Sequence, residues 1–498
     1  MPGRPRRLAG AVVVSILAGA CGATPATDAD QESTLTILHL GADLTFGAQH
    51  FTPAKFLVFE PMAWLDREGR TVPRLARAWS HSPDFREWTY HLRTDARWHD
   101  GVPVTSRDVK WTVERFARPD IAYYWDLEEV LAPDDSTVVI RTSRPRGEPD
   151  AYTVYYPEHL LRDLDPDLIW EWEFWKRPVG NGPFRFSRRV PLTLWEFEPN
   201  ADYYGGRPVL DRVRVRVGGG DPLVELRSGN VDALVQVDRA LLPKIERDAR
   251  FRAYYEVQNW SDAIWWNQRH PFLAEVAVRR ALTHAIDRRE LQRLLELPEF
   301  LPIADVPLDQ RQLLRDDLPP PYAFDPGEAA RLLDAAGWRD GDGDGIRERR
   351  GVRAAFTALA GPGSDFAAVY VREALLRVGV AMEIQLLPDA PRRQVAAGEF
   401  EAAFDRFIPA QTRWFGGLGY ENDRMRGILA AIDTAADPAI RASLSRELWP
   451  DFLRDLPLTL LGPQVTTYVA HRRVHGLSTP WGANPYEQAP WIWLEEEE

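Results

Sequence analysis

Apolar and polar residues alternate with a period of two in several short runs, the pattern of strands with one buried face. From Arg212 to Val217 the alternation is complete, with Val213, Val215 and Val217 on one side and Arg212, Arg214 and Arg216 on the other. Trp88, Tyr90 and Leu92 alternate in the same way with Thr89, His91 and Arg93, and Thr34–Leu40 and Val138–Ile140 read as further strands. Helical patterns lie between them. Thr105 is placed to cap a helix with Asp108 at its third position and an apolar stripe of Val109, Val113 and Phe116. Asp325-Pro326-Gly327-Glu328 combines an Asp cap, a first-turn Pro and a Glu placed to reach back, so a helix is predicted through Leu332 and Leu333 with its stop at Gly337. Asp437-Pro438 opens another helix carrying Leu444, Leu448 and Phe452, and Val276–Leu295 is predicted to be helical over most of its length. Strands and helices alternate throughout without an internal repeat, which points to α/β layers.

The N-terminus follows a different pattern. Arg4, Arg6 and Arg7 precede an apolar run from Leu8 to Ala20, shorter than the roughly 20 apolar residues that a stable span needs. A basic start, a short apolar stretch and small residues form an export signal that is later removed. The segment Leu17-Ala18-Gly19-Ala20-Cys21 resembles a bacterial lipoprotein signal, although Ala18 holds the place usually taken by Leu. An ordinary secretory signal with a chance cysteine is the alternative. The lipoprotein reading makes residues 1–20 the signal, Cys21 the lipidated first residue, and 21–33, which are small and polar, a flexible linker. Two or more acyl chains hold a protein stably at a membrane.

Composition adds exclusions. With 498 residues the chain has room for roughly two to four domains. A formal charge of −13 argues against a nucleic-acid partner, whose phosphates require a basic surface. Cys21 is the single cysteine, which excludes an internal disulfide framework and any cysteine-based zinc site. The 19 tryptophans include candidates for lining a cleft, because indole combines a large contact area with one donor.

Trp98-His99-Asp100-Gly101-Val102-Pro103-Val104-Thr105, followed by Asp108-Val109, resembles a motif of the family 5 solute-binding proteins of bacterial ABC importers, the peptide- and nickel-binding type. Its local sense is structural: Gly101 permits a turn, Pro103 stiffens the approach and Thr105 caps the helix. Further segments resemble the family in order: Phe59-Glu60-Pro61-Met62, Val72–Trp79, Asn181-Gly182-Pro183-Phe184, Asn200–Pro208, Arg227–Asp232, and Asn267 through Val278–Leu282 to Ala285-Ile286-Asp287-Arg288. The resemblance covers about residues 34–477 and implies a two-lobed periplasmic-binding-protein type II fold with an extra small domain (cluster C). On that basis lobe 1 is expected at 34–56, 180–259 and 462–498, the inserted domain at 57–179, and lobe 2 at 260–461.

The same resemblance implies a lipid-anchored receptor in the periplasm or at the cell surface. It would capture a small solute, a peptide or peptide-like compound by default, and deliver it to the membrane subunits of an ABC permease. A sensory or structural binding protein of the same fold is the alternative. Peptide-binding relatives hold the peptide amine with an acidic residue of the second lobe; Asp405 is the nearest acid here, with a surface or lobe-internal ion pair as its other reading. Trp260, Trp265 and Trp266 fall at the expected crossing into lobe 2, and alternation prevents Trp265 and Trp266 from both facing a cleft. Trp414, Tyr420 and Asn422 follow the altered segment and complete the candidate ligand contacts, with packing or backbone bonding as the alternative for each.

No motif for chemistry emerges. Asp340, Asp342 and Asp344 resemble the opening of a calcium loop, but Gly351 stands where the bidentate Glu belongs, so a turn is expected instead. His471 and His475 have helical metal spacing within a segment that reads as strand and turn. Neither a nucleophile elbow nor a phosphate-cradling glycine loop is present. The expectation is a monomeric binding protein without catalysis, cofactor or metal.

Overall fold

Two long strands, Phe251–Trp266 and Leu458–His471, run antiparallel through the middle of a single ten-stranded sheet. The computed structural model describes residues 32–40, 54–65, 71–116, 127–143, 145–146, 153–165, 168, 171–235, 237–238, 241–306, 318–407, 417–435, 438–477 and 492–495. The signal segment, Cys21 and Trp414 lie outside the described residues. Ser33–Glu498 form one compact unit.

The sheet has a half on either side of the long pair. On one side Leu458–His471 pairs with Ala233–Val235, followed by Thr34–His39, Arg212–Val217, Leu194–Pro199 and Phe184–Val190. On the other, Phe251–Trp266 pairs with Ala402–Phe407, followed by Ala355–Ala360 and Ala381–Leu386. A separate antiparallel sheet carries Ala76–His81, Glu87–Leu92, Thr137–Thr142 and Leu127–Asp134. The result is a two-lobed α/β fold with an additional small sheet.

The local patterns act as expected in most places. Val213 and Val215 are fully buried, and Arg214 is exposed. Helix Pro326–Ala335 is capped by Asp325, which accepts from the Glu328 amide at 2.9 Å, and Gly337 follows it at φ +85°. Helix Ser106–Phe116 starts by a different bond from the one expected of Thr105: the Asp108 carboxylate reaches back to the Thr105 amide at 2.8 Å. The stretch from Val276 forms two helices, Val276–His284 and Arg288–Leu294, because Asp287 leaves the helical region and caps the second.

Two arginines of this stretch are interior. Arg279 donates to the carbonyls of Leu273, Ala274, Asp455 and Leu456, tying the first helix to the end of helix Pro438–Asp455. Burial lowers its pKa to about 10. Arg288 forms a buried bidentate pair with Asp305, at 2.5 and 3.0 Å, and also donates to Leu460 and Tyr322 carbonyls.

The recognisable motifs of the first half meet at one seam. A Cβ on Gly180 would lie 1.8 Å from the Val58 carbonyl oxygen, and one on Gly182 would lie 2.6 Å from the Val58 carbonyl carbon, so only glycine lets these chains touch. Asn181 accepts from the Glu60 amide at 3.0 Å, and Asn200 donates to the Gly182 carbonyl at 3.0 Å. The buried Glu60 carboxylate accepts from the hydroxyls of Tyr203 and, at 3.1 Å, Tyr204. Burial first, then the Glu60 charge, pushes both phenols above their ordinary range. An apolar core that includes Ile37, Val215, Trp88, Tyr90 and Val109 continues from the large sheet into the small one.

Candidate functional site: the floor between the lobes

Where the long strands cross from one half of the sheet to the other, their pairing is irregular. Val257 pairs with Val465 and Ser261 with Pro463, so four steps on one strand oppose two on the other. A second shift follows between Asp262, which pairs with Gly462, and Ala263, which pairs with Leu460. Gly462 has φ +153° and Pro463 supplies no amide donor, so the ladder is weakest at this point.

The two faces of the crossing differ. On one face Val257 and Val465 pack with Leu301, Val306 and Trp449. The other face carries polar side chains. Register pairs Glu256 with Thr466 and Asp262 with Gly462, which puts Glu256, Asp262, Gln464, Thr466 and Tyr468 on one side of the pleat. They bond in a row: Tyr468 donates its hydroxyl to Glu256 at 2.5 Å, Gln258 donates to Thr466 at 3.1 Å, and Gln464 donates to Asp262. Arg406, opposite Asp262 on the neighbouring strand, places its guanidinium 5.4 Å from the centroid of the Trp260 ring.

On this face the apolar core of the first half, including Tyr254 and Ala470, ends where the row begins. That of the second half, including Ile264 and Trp266, begins where the row ends. Glu256, Gln258, Trp260, Asp262, Gln464 and Thr466 are all half-buried. A cavity of about 50 Å3 opens beside the row, lined by Asp262, Gln464, Ser364, Asp405, Leu461 and neighbours. The site is therefore a polar strip between two apolar cores, able to offer hydrogen bonds and charge to a solute and without a nucleophile–base pair among its described residues.

The structure separates the residues expected to hold ligand. Trp260 joins the strip. Trp265 and Trp266 point to opposite faces, as alternation requires, but both are core residues with 2% and 0% exposure. Trp265 packs with Phe407 and Leu448, and Trp266 packs edge-on to Phe356 and donates to Thr459 at 3.0 Å. Asp405 shares the face of Ala263, not that of Asp262; its carboxylate accepts from the Arg406 amide at 2.8 Å and lies 3.6 Å from Arg392. Burial raises its pKa. Asn422 caps helix Asp423–Thr434 through the Met425 amide, and Tyr420 donates to Asp455 at 2.7 Å. These two bond to each other at 3.0 Å away from the strip, and Tyr420 belongs to the core cluster that holds Trp265 and Leu448.

Glu256, Gln258, Asp262, Gln464 and Thr466 escaped the sequence reading. Their signal was the alternation in Gln464-Val465-Thr466, whose odd position is buried and whose even positions are half-buried. The acidic turn is closed by its own backbone: Asp340 accepts from Gly343 and Gly345 amides, and Glu348 from Gly341. Oxygens of Asp340, Asp342 and Glu348 lie within 4.8 Å of one another. His471 stacks edge-on to Phe251, while His475 bonds to Glu495 at 3.1 Å, so the two histidines serve different contacts.

Comparison with known proteins agrees with this architecture. The profile of the bacterial extracellular solute-binding proteins, family 5 Middle, matches residues 70–414. A Brucella ovis protein named for ABC-transporter peptide binding is 32% identical over 293 residues, 56% of this chain and 55% of its own. The nickel-binding periplasmic protein of Escherichia coli is 26% identical over 319 residues, 60% of this chain and 59% of its own. The chain thus spans between half and two thirds of the length of these relatives. The oligopeptide-binding protein AppA of Bacillus subtilis, solved with a nonapeptide, superposes with a TM-score of 0.72 at 20% identity, covering 94% of this chain and 100% of AppA. NikA of Brucella suis, solved with Fe(III)-EDTA, gives 0.73 at 19% identity, covering 93% and 100%. With its two-lobed fold and a profile match over most of its length, the chain belongs to family 5 of the bacterial extracellular solute-binding proteins.

Proposed function

We propose that the protein is a lipid-anchored receptor which captures a small solute, a peptide or peptide-like compound, between its lobes and delivers it to an ABC permease. The observation that carries this reading is the strip from Glu256 to Asp262 with Gln464 and Thr466: half-buried polar groups where the two apolar cores part on the same sheet face. A solute resting there would touch both lobes, and its binding energy would favour the closed arrangement over the open one. On this reading lobe 1 comprises 34–56, 180–259 and 462–498, the inserted domain 57–179, and lobe 2 260–461, so that both crossings fall at the shifts in pairing. Cys21 carries the anchor, and the protein works as a monomer outside the inner membrane. No described helix is long and apolar enough to cross a membrane.

Native mass spectrometry of protein purified without unfolding tests the capture. A bound small molecule that dissociates on activation is the expected result; Gln258→Ala combined with Gln464→Ala should empty it while leaving thermal unfolding cooperative. Full retention of the solute in that variant would remove the strip as its seat. Cys21→Ser should move the protein from the membrane fraction to the soluble one.

A further inference from the structure

The charges on the strip are unevenly distributed. At its second-lobe end Asp262 faces Arg406 across the strands, and Asp405 on the other side of the pleat has Arg392. At the first-lobe end stands Glu256. Its carboxylate accepts from the neutral Tyr468 hydroxyl, and among the described residues it forms no ion pair. A half-buried carboxylate with one neutral donor has lost much of its hydration without gaining a counter-charge. Burial accordingly raises its pKa, and the Tyr468 bond partly opposes that rise.

The seam residue Glu60 shows the contrast. It is buried where Glu256 is half-buried, and it too takes tyrosine hydroxyls, but its charge acts on the nearby guanidinium of Arg74, whose pKa it helps to raise against the effect of burial. Among the described residues Glu256 has no such partner, and it lies on the face that the apolar cores leave open.

We propose that Glu256 is the counter-ion for a cationic group of the captured solute, with Tyr468 as the residue that positions its carboxylate. The proposal rests on the receptor reading and narrows it: the solute carries an ammonium or guanidinium group seated at the first-lobe end of the strip, and the neutral amides of Gln258 and Gln464 serve the uncharged remainder. A hydrogen-bonded ion pair in this half-buried setting distinguishes a cation from its uncharged isostere more sharply than a surface pair does.

The test uses two cationic probes, the C-terminally amidated tripeptide Ala-Lys-Ala and putrescine, and one uncharged analogue, the same tripeptide amide acetylated on both amines. Each is titrated into the full chain, freed of carried solute, and into Glu256→Gln. Glutamine keeps the acceptor for Tyr468 and removes only the charge, and equal thermal unfolding of the two proteins verifies that the fold persists. At least one cationic probe should bind about tenfold or more tighter than the acetylated tripeptide, and Glu256→Gln should abolish that preference. A preference that survives the substitution overturns the assignment, as does equal binding of charged and uncharged tripeptides or no binding of either cation. Equal binding of the tripeptides would leave the receptor reading intact. Putrescine binding that depends on Glu256, without tripeptide binding, would support the counter-ion and remove the peptide reading.

Discussion

The imidazole of His99 bridges two peptide groups of the Gly180–Gly182 turn, accepting at Nδ1 from the Gly180 amide and donating from Nε2 to the Gly182 carbonyl, each at 3.1 Å. Only the neutral ring can do both. Burial, aided by Arg185, lowers its pKa from 6.5 to about 4, against the opposing pull of the Gly182 bond and Asp100.

This arrangement makes the seam sensitive to acid. Below pH 6.5 the unfolded chain binds a proton that folded His99 refuses until about pH 4, so stability present at neutral pH falls across that window. The loss is at most about 3 kcal/mol. Urea unfolding at pH 7 and pH 4.5 should show a smaller acid loss in His99→Gln than in the parent; equal losses would refute the role of this ring.

Close approach at the same seam predicts a large effect from one methyl group. Gly180→Ala would drive a Cβ into the Val58 carbonyl, where backbone must move to accommodate it. A loss of about 3 kcal/mol or more is expected in equilibrium unfolding, whereas Gly427→Ala, whose Cβ meets nothing within 4 Å, should be neutral or slightly stabilising.

The buried Arg288–Asp305 pair should resist single substitution and tolerate double substitution. Arg288→Met leaves the Asp305 carboxylate uncompensated beside the Tyr322 amide and should cost about 3–5 kcal/mol. Adding Asp305→Leu should restore part of that loss, read from the unfolding midpoints of the double-mutant cycle.

The tryptophans of the crossing should divide by function. Trp265→Ala removes a core ring and should destabilise the fold by about 3–5 kcal/mol. Trp260→Ala, on the half-buried strip, should leave the unfolding midpoint nearly unchanged and weaken solute capture. The reverse pattern in calorimetry and binding would exchange the two assignments.

What could be read without coordinates was what near neighbours decide. Val213 and Val215 are buried because alternate residues of a strand share a face, and Asp325 caps because its carboxylate reaches an amide three residues on. The ordered motifs from Phe59 to Arg288 were sufficient for the two-lobed fold, although their shared purpose at the Gly180–Gly182 seam was invisible in linear order. The polar strip was legible only in fragments, since Trp260 suggested itself and Glu256, Asp262 and Gln464 did not. Tyr468 is 212 residues from Glu256, and Gln464 is 202 from Asp262. Which face of a crossing strand meets apolar cover and which stays open depends on that remote pairing and on where the flanking cores end. Sequence by itself therefore determined the local elements and the family's architecture; tertiary structure alone decided that Trp265 packs, that Asp405 turns to Arg392, and that Glu256 meets no counter-charge among the described residues, because burial and pairing are properties of distant segments brought together.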